Sequence, residues 1–389
     1  MKTAIIHYWL VGMRGGEKVL EALCELYPQA DIFTHVVIPE AISPQLRSHR
    51  IRTSFIARLP RARSWYRNYL PLMPLALEQF DLREYDLIIS SESGPAKGVV
   101  PRPDAVHLCY CHSPMRYVWN MYHEYLPSAG ILARASMPLL THYLRTWDES
   151  SAARVDYFVA NSHNVAARIW KYYRREAAVV HPPVDVDAFA AVSETMPADY
   201  FLMVGELVRY KRPDLAVQAF NATGKKLVVI GGGPMLHQLR REAKSNVSVL
   251  GPQPFEVLRD HYARCRALVF PGEEDFGIVP IEAMASGCPV VAYGRGGAAE
   301  TVVDGVTGVL FGRQAVQDVI AAVERVERME YDRQVLVRHA HAFNKSRFKQ
   351  EIGSLVDSAV TEHQSRCRGA AVFASSRMSA ASLASVGTG

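Results

Sequence analysis

Two carboxylates, Glu274 and Glu282, stand eight residues apart in the stretch EEDFGIVPIEAMASGCPVVA, with Phe276, Gly277 and Pro280 between them. Proline is accepted in the first turn of a helix, so Pro280 sets a helix start within about two residues of itself. That places Glu274 in the preceding loop and Glu282 in the first turns of the helix. Acids favour helix N-termini in any case, so Glu282 alone is ordinary. Acids on both sides of a Phe-Gly turn are less so. They supply acceptors for hydroxyl groups at either end of a phosphate-sized run of amides, and sugar and ribose hydroxyls need acceptors of that kind.

Three further stretches carry groups of the same character. In VGELVRYKRPDL, Gly205 closes a strand-like run, and Arg209, Lys211 and Arg212 stand just ahead of Pro213. Cations at a strand-to-helix junction are poised for an anion, which the helix dipole also favours; plain solvation of the cations is the alternative. Gly15 and Gly16 open another helix, where the missing Cβ lets the backbone approach a phosphate or a hydroxyl. Gly-Gly turns are common, and the chain holds neither the dinucleotide Gly-x-Gly-x-x-Gly pattern nor a P-loop Gly-Lys-Ser/Thr. His112 follows the strand-like AVHLCYC beside Pro114, where a reactive role and a loop-anchoring role are both open.

These residues need a frame. KTAIIHYW, ADIFTHVV, YDLIISS, AVHLCYCH and VDYFVANS read as strands, the first followed by a Gly loop opening a helix and the last by the helix HNVAARIWKYY. From Tyr200 a second series begins: YFLMVGEL, KKLVVIGG, VSVLG, ALVFPG, PVVAY and GVLF, alternating with helical stretches such as RPDLAVQAF and EVLRDHYARC. The strands are continuous apolar runs, as expected of parallel sheets covered on both faces. Strand-helix alternation twice over predicts an α/β chain of two Rossmann-like, doubly wound domains. The expected divisions are 1–180 and 181–345, joined through HPPVDVDAF, then a helix over 346–362 that can return to the first domain. The Ser/Ala/Gly-rich segment 363–389 is expected to be disordered. Ligands of such sheets bind beyond the carboxyl ends of the strands. The loops Gly12–Gly16, His112–Pro114, Gly205–Lys211, Gly231–Pro234 and Gly272–Gly277 can converge only if the domains face one another across a cleft.

Composition narrows the classes. An apolar fraction of 49% and a charged fraction of 21% over 389 residues argue against disorder, and the length favours two domains over one. Six cysteines with no Cys-x-x-Cys pair argue against a disulfide scaffold or a zinc site and predict a reducing, cytoplasmic compartment. No apolar run has the length of a membrane span, and the N-terminal stretch does not read as a signal peptide. The net charge of +5 is unevenly spread: from Ala41 to Leu77 there is no acid at all. That segment holds Arg47, Arg50, Arg52, Arg58, Arg61, Arg63 and Arg67, interleaved with Phe55, Trp65, Tyr66 and Tyr69. It suits an anionic membrane surface or lipid substrate, with a solvated basic face as the plain reading and nucleic acid the least favoured.

Five motifs in order resemble one family. The Glu274/Glu282 pair, GELVRYK (Gly205–Lys211), GGEKV (Gly15–Val19) and VDYFVANS (Val155–Ser162) are similar to the retaining GT-B glycosyltransferases of family four. YCHSPMRYVW (Tyr110–Trp119) resembles the bacterial mannosyltransferase branch that builds O-antigen and exopolysaccharide repeats. The resemblance spans roughly residues 1–362.

It implies transfer of a hexose, mannose first, from a nucleoside diphosphate sugar to a polyprenyl-diphosphate-linked saccharide, in surface polysaccharide biosynthesis. GDP-mannose is the favoured donor, and the enzyme would sit at the inner face of the plasma membrane. Glu274 would hold the hexose hydroxyls with the amides of Phe276 and Gly277, and Glu282 the ribose hydroxyls. Arg209 and Lys211 would neutralise the pyrophosphate, Gly15 and Gly16 would close over it, and His112 would lie near the reacting carbon. Tyr110, Arg116 or Tyr117 could serve the acceptor. Family members carry an arginine directly after the glycine where this chain has Glu206, a place Arg209 would have to fill. Cationic and amide groups already meet the leaving phosphate, and no Asp-x-Asp pair stands at a strand end, since Asp185 and Asp187 lie in the linker. Neither metal nor cofactor is therefore expected. The competing classes are a non-catalytic nucleotide-sugar-binding protein and another GT-B enzyme, such as a phosphorylase or epimerase.

Overall fold

The computed structural model describes residues 1–125, 131–190 and 198–385. Its first sheet has seven strands: β1 (Thr3–His7), β2 (Asp31–Thr34), β3 (Ile51–Thr53), β4 (Leu87–Glu92), β5 (Val106–Cys111), β6 (Tyr157–Ala160) and β7 (Ala177–Val179). Their order is β3-β2-β1-β4-β5-β6-β7, and every pairing is parallel. The second sheet has six: β8 (Phe201–Val204), β9 (Leu227–Ile230), β10 (Val247–Gly251), β11 (Leu268–Phe270), β12 (Val290–Tyr293) and β13 (Gly308–Phe311). Their order is β10-β9-β8-β11-β12-β13, again all parallel.

Burial on both faces is the cause of this geometry. β1, β4 and β5 are buried at every residue, which only a sheet covered by helices on each side allows. The central strands are the ones the apolar runs mark. The edge strands β3 and β7 are short and half-exposed, and their residues carry no run of that kind.

The strand order reverses once in each sheet, between β1 and β4 in the first and between β8 and β11 in the second. At such a reversal the loops leaving the two neighbouring strands turn to opposite faces and leave a crevice open. At the first crevice Gly15 and Gly16, singled out above, open the helix Gly15–Leu26 after β1, and Ser91 and Glu92, which were not, end β4. At the second, Gly205 to Lys211 follow β8, and Gly272 to Gly277 follow β11.

The chain divides into two compact units, residues 1–160, 168–180 and 349–389 in one, and 161–167 and 181–348 in the other. The last helix runs Lys345–Ser385, and Ile352, Val356 and Ala359 on it are buried. In the first unit, Lys349 pairs with Glu25 at 2.9 Å, and Tyr157 donates to Glu362 at 3.0 Å. The segment expected to be disordered from 363 onward is thus helical as far as Ser385. Its alanines, the strongest helix formers, extend the helix although few large apolar residues follow. Residues 386–389 of that segment lie outside the described residues.

Candidate functional site

At the first crevice the Gly15-Gly16 turn packs tightly against the ends of β1 and β5. A Cβ on Gly16 would lie 2.9 Å from the Tyr8 hydroxyl, 3.6 Å from Cε1 of His7 and 3.8 Å from Nε2 of His112. A side chain there would have to displace the Tyr8 hydroxyl, since real Cβ atoms do not approach a heavy atom so closely. The turn is capped by its own third residue: the Arg14 N–H donates to the Glu17 carboxylate at 3.0 Å. Glu17 also faces His7 at 3.8 Å, both buried. Burial lifts the Glu17 carboxyl, but His7 and the backbone N–H groups outweigh it, and the net direction is down. His112 Nε2 lies 2.9 Å from the Ser91 hydroxyl. Burial, reinforced by nearby His7 and weakly opposed by Glu17, pushes the His112 ring down to about 3. A ring of that kind is neutral at pH 7 and can exchange a hydrogen bond without carrying charge.

At the second crevice Lys211 and Glu274 meet. Their ammonium and carboxylate are 2.8 Å apart, with side chains 15% and 17% exposed. Burial pulls the Lys211 ammonium down, but Glu274, Tyr210 and Glu206 more than offset it, so the net direction is up and the lysine is charged. Lys211 fits so closely that a Cβ on Gly272 would stand 2.6 Å from its Cα. The Glu274 backbone is fixed as well: its carbonyl accepts from Gly297 N–H at 2.9 Å, and Gly296, at φ 65°, passes within reach of the same carbonyl. Arg209 opens the short 3-10 turn Arg209–Lys211 and is exposed.

The helix after this loop runs Ile278–Ala285, with Gly277 at its cap in the left-handed region, φ 84°. Phe276 turns its ring inward against His181, 5.3 Å between centroids, and Phe343. Glu282 is the fifth residue of the helix, within its first turns as the proline suggested, but past the first turn, where the helix dipole would account for an acid. Its partner is the hydroxyl of buried Tyr262, which donates to Oε2 at 3.0 Å. Burial pushes the Glu282 carboxyl up to about 7, against smaller opposing pulls from Tyr262 and Lys211.

The structure thus gathers Gly15, Gly16 and His112 at one crevice, and Arg209, Lys211, Glu274, Phe276, Gly277 and Glu282 around the other. Three contributors escape the sequence reading. Tyr262 lies in the helix Phe255–Arg264, where an aromatic residue reads as plain core. Ser91 and His7 end strands, as His112 nearly does, and polar residues closing an apolar strand were the available signal. Among the described residues no group of three or more His, Cys, Asp or Glu side chains could hold a metal ion.

Comparison with known proteins gives the architecture a family. Residues 187–343 match the model of glycosyl transferases group 1, and residues 13–188 match that of glycosyltransferase family 4. Each half of the chain is thus similar to a glycosyltransferase domain. A D-inositol 3-phosphate glycosyltransferase of Geodermatophilus obscurus is 31% identical over 248 residues, covering 55% of each chain. The chain spans about half the length of such curated relatives. A lipopolysaccharide outer core galactosyltransferase superposes with a TM-score of 0.64 at 18% identity, over 92% of this chain and 99% of the other. The Anabaena protein HepE, in complex with UDP and glucose, superposes with a TM-score of 0.65 at 15% identity, over 92% and 100%. At those identities the likeness shows the fold alone, two Rossmann-like domains of the GT-B type.

Proposed function

We propose that this protein is a retaining glycosyltransferase that moves a hexose from a nucleoside diphosphate sugar to a lipid-linked saccharide. The observation that carries the reading is the Lys211–Glu274 pair at the strand-order reversal of the second sheet. A charged lysine there meets a diphosphate, and a carboxylate beside it meets hydroxyls. Glycosyl transfer builds positive charge on the anomeric carbon and negative charge on the leaving phosphate. Fixed donors aimed at the phosphate stabilise that state without reorganising. Lys211 and exposed Arg209 take this part, with the amides of Phe276 and Gly277. Arg209 stands in for the arginine that Glu206 displaces. Glu274 receives the hexose hydroxyls. Glu282 keeps Oε1 for the ribose, its Oε2 being held by Tyr262. In the first unit, Gly15, Gly16 and neutral His112 stand at that unit's own strand-order reversal.

Mannose from GDP-mannose is the first choice of donor, on the motif Tyr110–Trp119. HepE, complexed with UDP and glucose, makes a UDP-sugar the second. The acceptor is a polyprenyl-diphosphate saccharide met at the cytoplasmic leaflet of the plasma membrane. Arg47, Arg50, Arg58, Arg61, Arg63 and Arg67 are exposed, and Trp65 is 45% exposed with the Arg61 guanidinium 4.8 Å over its ring. Arg52 is not part of that face, because it pairs with Asp31 at 3.1 Å, and Tyr66 is buried against Trp9. Among the described residues no helix is long and apolar enough to cross a membrane, so contact would be peripheral. A thermal-shift screen of nucleotide sugars tests the reading. A rise in melting temperature with GDP-mannose or a UDP-sugar, beyond that given by the sugar alone, is the expected result. No response to any nucleotide sugar would overturn it, and donor breakdown without transfer would point to another GT-B enzyme.

A further inference from the structure

Lys97 is fully buried in the first unit and lies between two buried carboxylates, Glu92 at the end of β4 and Asp148 on the helix Ile131–Ala152. Its ammonium pairs with Asp148 and stands 3.9 Å from Glu92, and its own backbone N–H donates to Glu92 Oε2 at 2.7 Å. Nothing in the transfer chemistry described above uses these three groups. Stability is a poor reason for them, because charges taken out of water rarely outperform apolar residues of the same volume. What they touch is more telling.

The segment from His112 to Trp119 hangs from this cluster at both ends. At one end the His112 N–H donates to the Glu92 carbonyl at 2.7 Å. At the other, Trp119 Nε1 donates to Asp148 Oδ2 at 2.7 Å, and the Tyr173 hydroxyl donates to the same oxygen at 2.8 Å. Between them Met115 and Val118 are buried, and Arg145 donates from Nε to the Val118 carbonyl at 2.5 Å. Trp119 is also stacked on Tyr172, 4.6 Å between centroids. A single lysine therefore couples the anchor of His112 to the anchor of Trp119. Burial pushes the Glu92 carboxyl up to about 8, with Lys97 pulling it down and Asp148 raising it. Glu92 thus holds its proton more tightly than a free carboxylate, and Asp148 is the nearer ionic partner of the lysine.

We infer that Lys97 and Asp148 are positioning residues, a buried charged strut that fixes the His112–Trp119 segment in its working geometry for glycosyl transfer. The inference rests on the transferase reading. The strut acts on His112 through the backbone of Glu92 and on the far end of the segment through the indole of Trp119, without touching a substrate. Displacing a reacting group by about 1 Å can lower a rate about a hundredfold, so a strut of this kind is read out in turnover.

Two variants test it. The double variant Lys97→Met with Asp148→Asn removes both charges together, so no buried charge is orphaned, and it retains an acceptor for Trp119 and Tyr173. Trp119→Phe keeps the charges and a stacking ring but deletes the Nε1 donor. Each is assayed for hexose transfer from GDP-mannose, or from UDP-glucose if the screen selects it, with melting temperature and donor KM measured alongside. The expected result is a ten- to hundredfold fall in kcat for both, a donor KM within about twofold of the wild type, and a melting temperature of Trp119→Phe near the wild type. Wild-type kcat in either variant overturns the inference, as does a fall in kcat of Trp119→Phe that follows loss of folded protein. No transfer by the wild-type protein itself would instead sink the transferase reading.

Discussion

Replacing Glu274 with glutamine separates the two jobs assigned to the second crevice. The Lys211–Glu274 pair is 2.8 Å long, which at an effective dielectric constant of about 20 corresponds to about 6 kcal/mol of gross attraction. Desolvation of both groups takes back most of it. Both side chains keep some contact with water, so losing the pair costs about 1 to 3 kcal/mol, below the range for a fully buried pair. Heating should reveal this as a melting point lower by roughly 2 to 12 °C. The consequence for binding has the opposite sign. Without the carboxylate, Lys211 is free for a diphosphate and no anion repels it, so Glu274→Gln should bind the bare nucleoside diphosphate at least as tightly as the wild type. The intact donor should lose what its hydroxyls gained from a charged acceptor, about 1.5 to 3 kcal/mol, or roughly ten- to a hundredfold in kcat/KM. Titration calorimetry with nucleoside diphosphate and with nucleotide sugar, beside the transfer rate, gives the comparison. Equal losses for the two ligands would show that Glu274 serves the nucleotide or the fold, and the division of labour would be wrong.

Three further perturbations bear on other parts of the site. Glu282 has a folded-state carboxyl raised to about 7, so the native state holds its proton more tightly than the unfolded chain does. Its contribution is full below about 4.5 and is lost as pH rises toward 7. Glu282→Gln should therefore gain stability relative to the wild type across that window in urea melts, and a difference independent of pH would refute the assignment. Gly16→Ala sets a methyl 2.9 Å from the Tyr8 hydroxyl and should lower both stability and turnover. Adding Tyr8→Phe should restore the stability, and failure to restore it would move the strain elsewhere. Changing Arg58, Arg61, Arg63 and Arg67 together to serine should release the protein from anionic liposomes, at about 1 kcal/mol of lost attraction per arginine, with donor binding unaltered. An equal loss of turnover on a short water-soluble acceptor would assign those arginines to the fold or the chemistry instead.

The fold was legible because its central strands are apolar runs of the length that a doubly covered parallel sheet requires, and the helix His163–Tyr173 follows its strand as the pattern predicts. The short edge strands β3 and β7 were not, since half-exposed residues such as Ile51 and Arg52 pair with a neighbour without any periodicity that marks them. In the site, glycines and charged residues at strand ends announced themselves, because few residues other than glycine tolerate the close approaches at Gly16 and Gly272. Contacts between residues far apart in the chain left no local signal. Tyr262 and Glu282 lie on different helices, and the Lys97–Asp148 strut joins residues that no spacing rule connects. The tail misled for a simpler reason. Its composition lacks the apolar residues of a core, but helix formation needs only alanine-rich backbone, and Lys345–Ser385 supplies it.

The most direct measurement is transfer itself. Purified protein, a radiolabelled nucleotide sugar and a lipid extract carrying polyprenyl-diphosphate saccharides are combined in the presence of EDTA, and label is followed into the lipid phase. Label in lipid, lost with Lys211→Ala and unaffected by the chelator, is the expected result. Removing one charge-stabilising donor should cost about 2 to 4 kcal/mol of transition-state stabilisation, enough to bring Lys211→Ala near background. Wild-type label that stays in the aqueous phase with every nucleotide sugar tried, or transfer that Lys211→Ala leaves intact, would contradict the central claim.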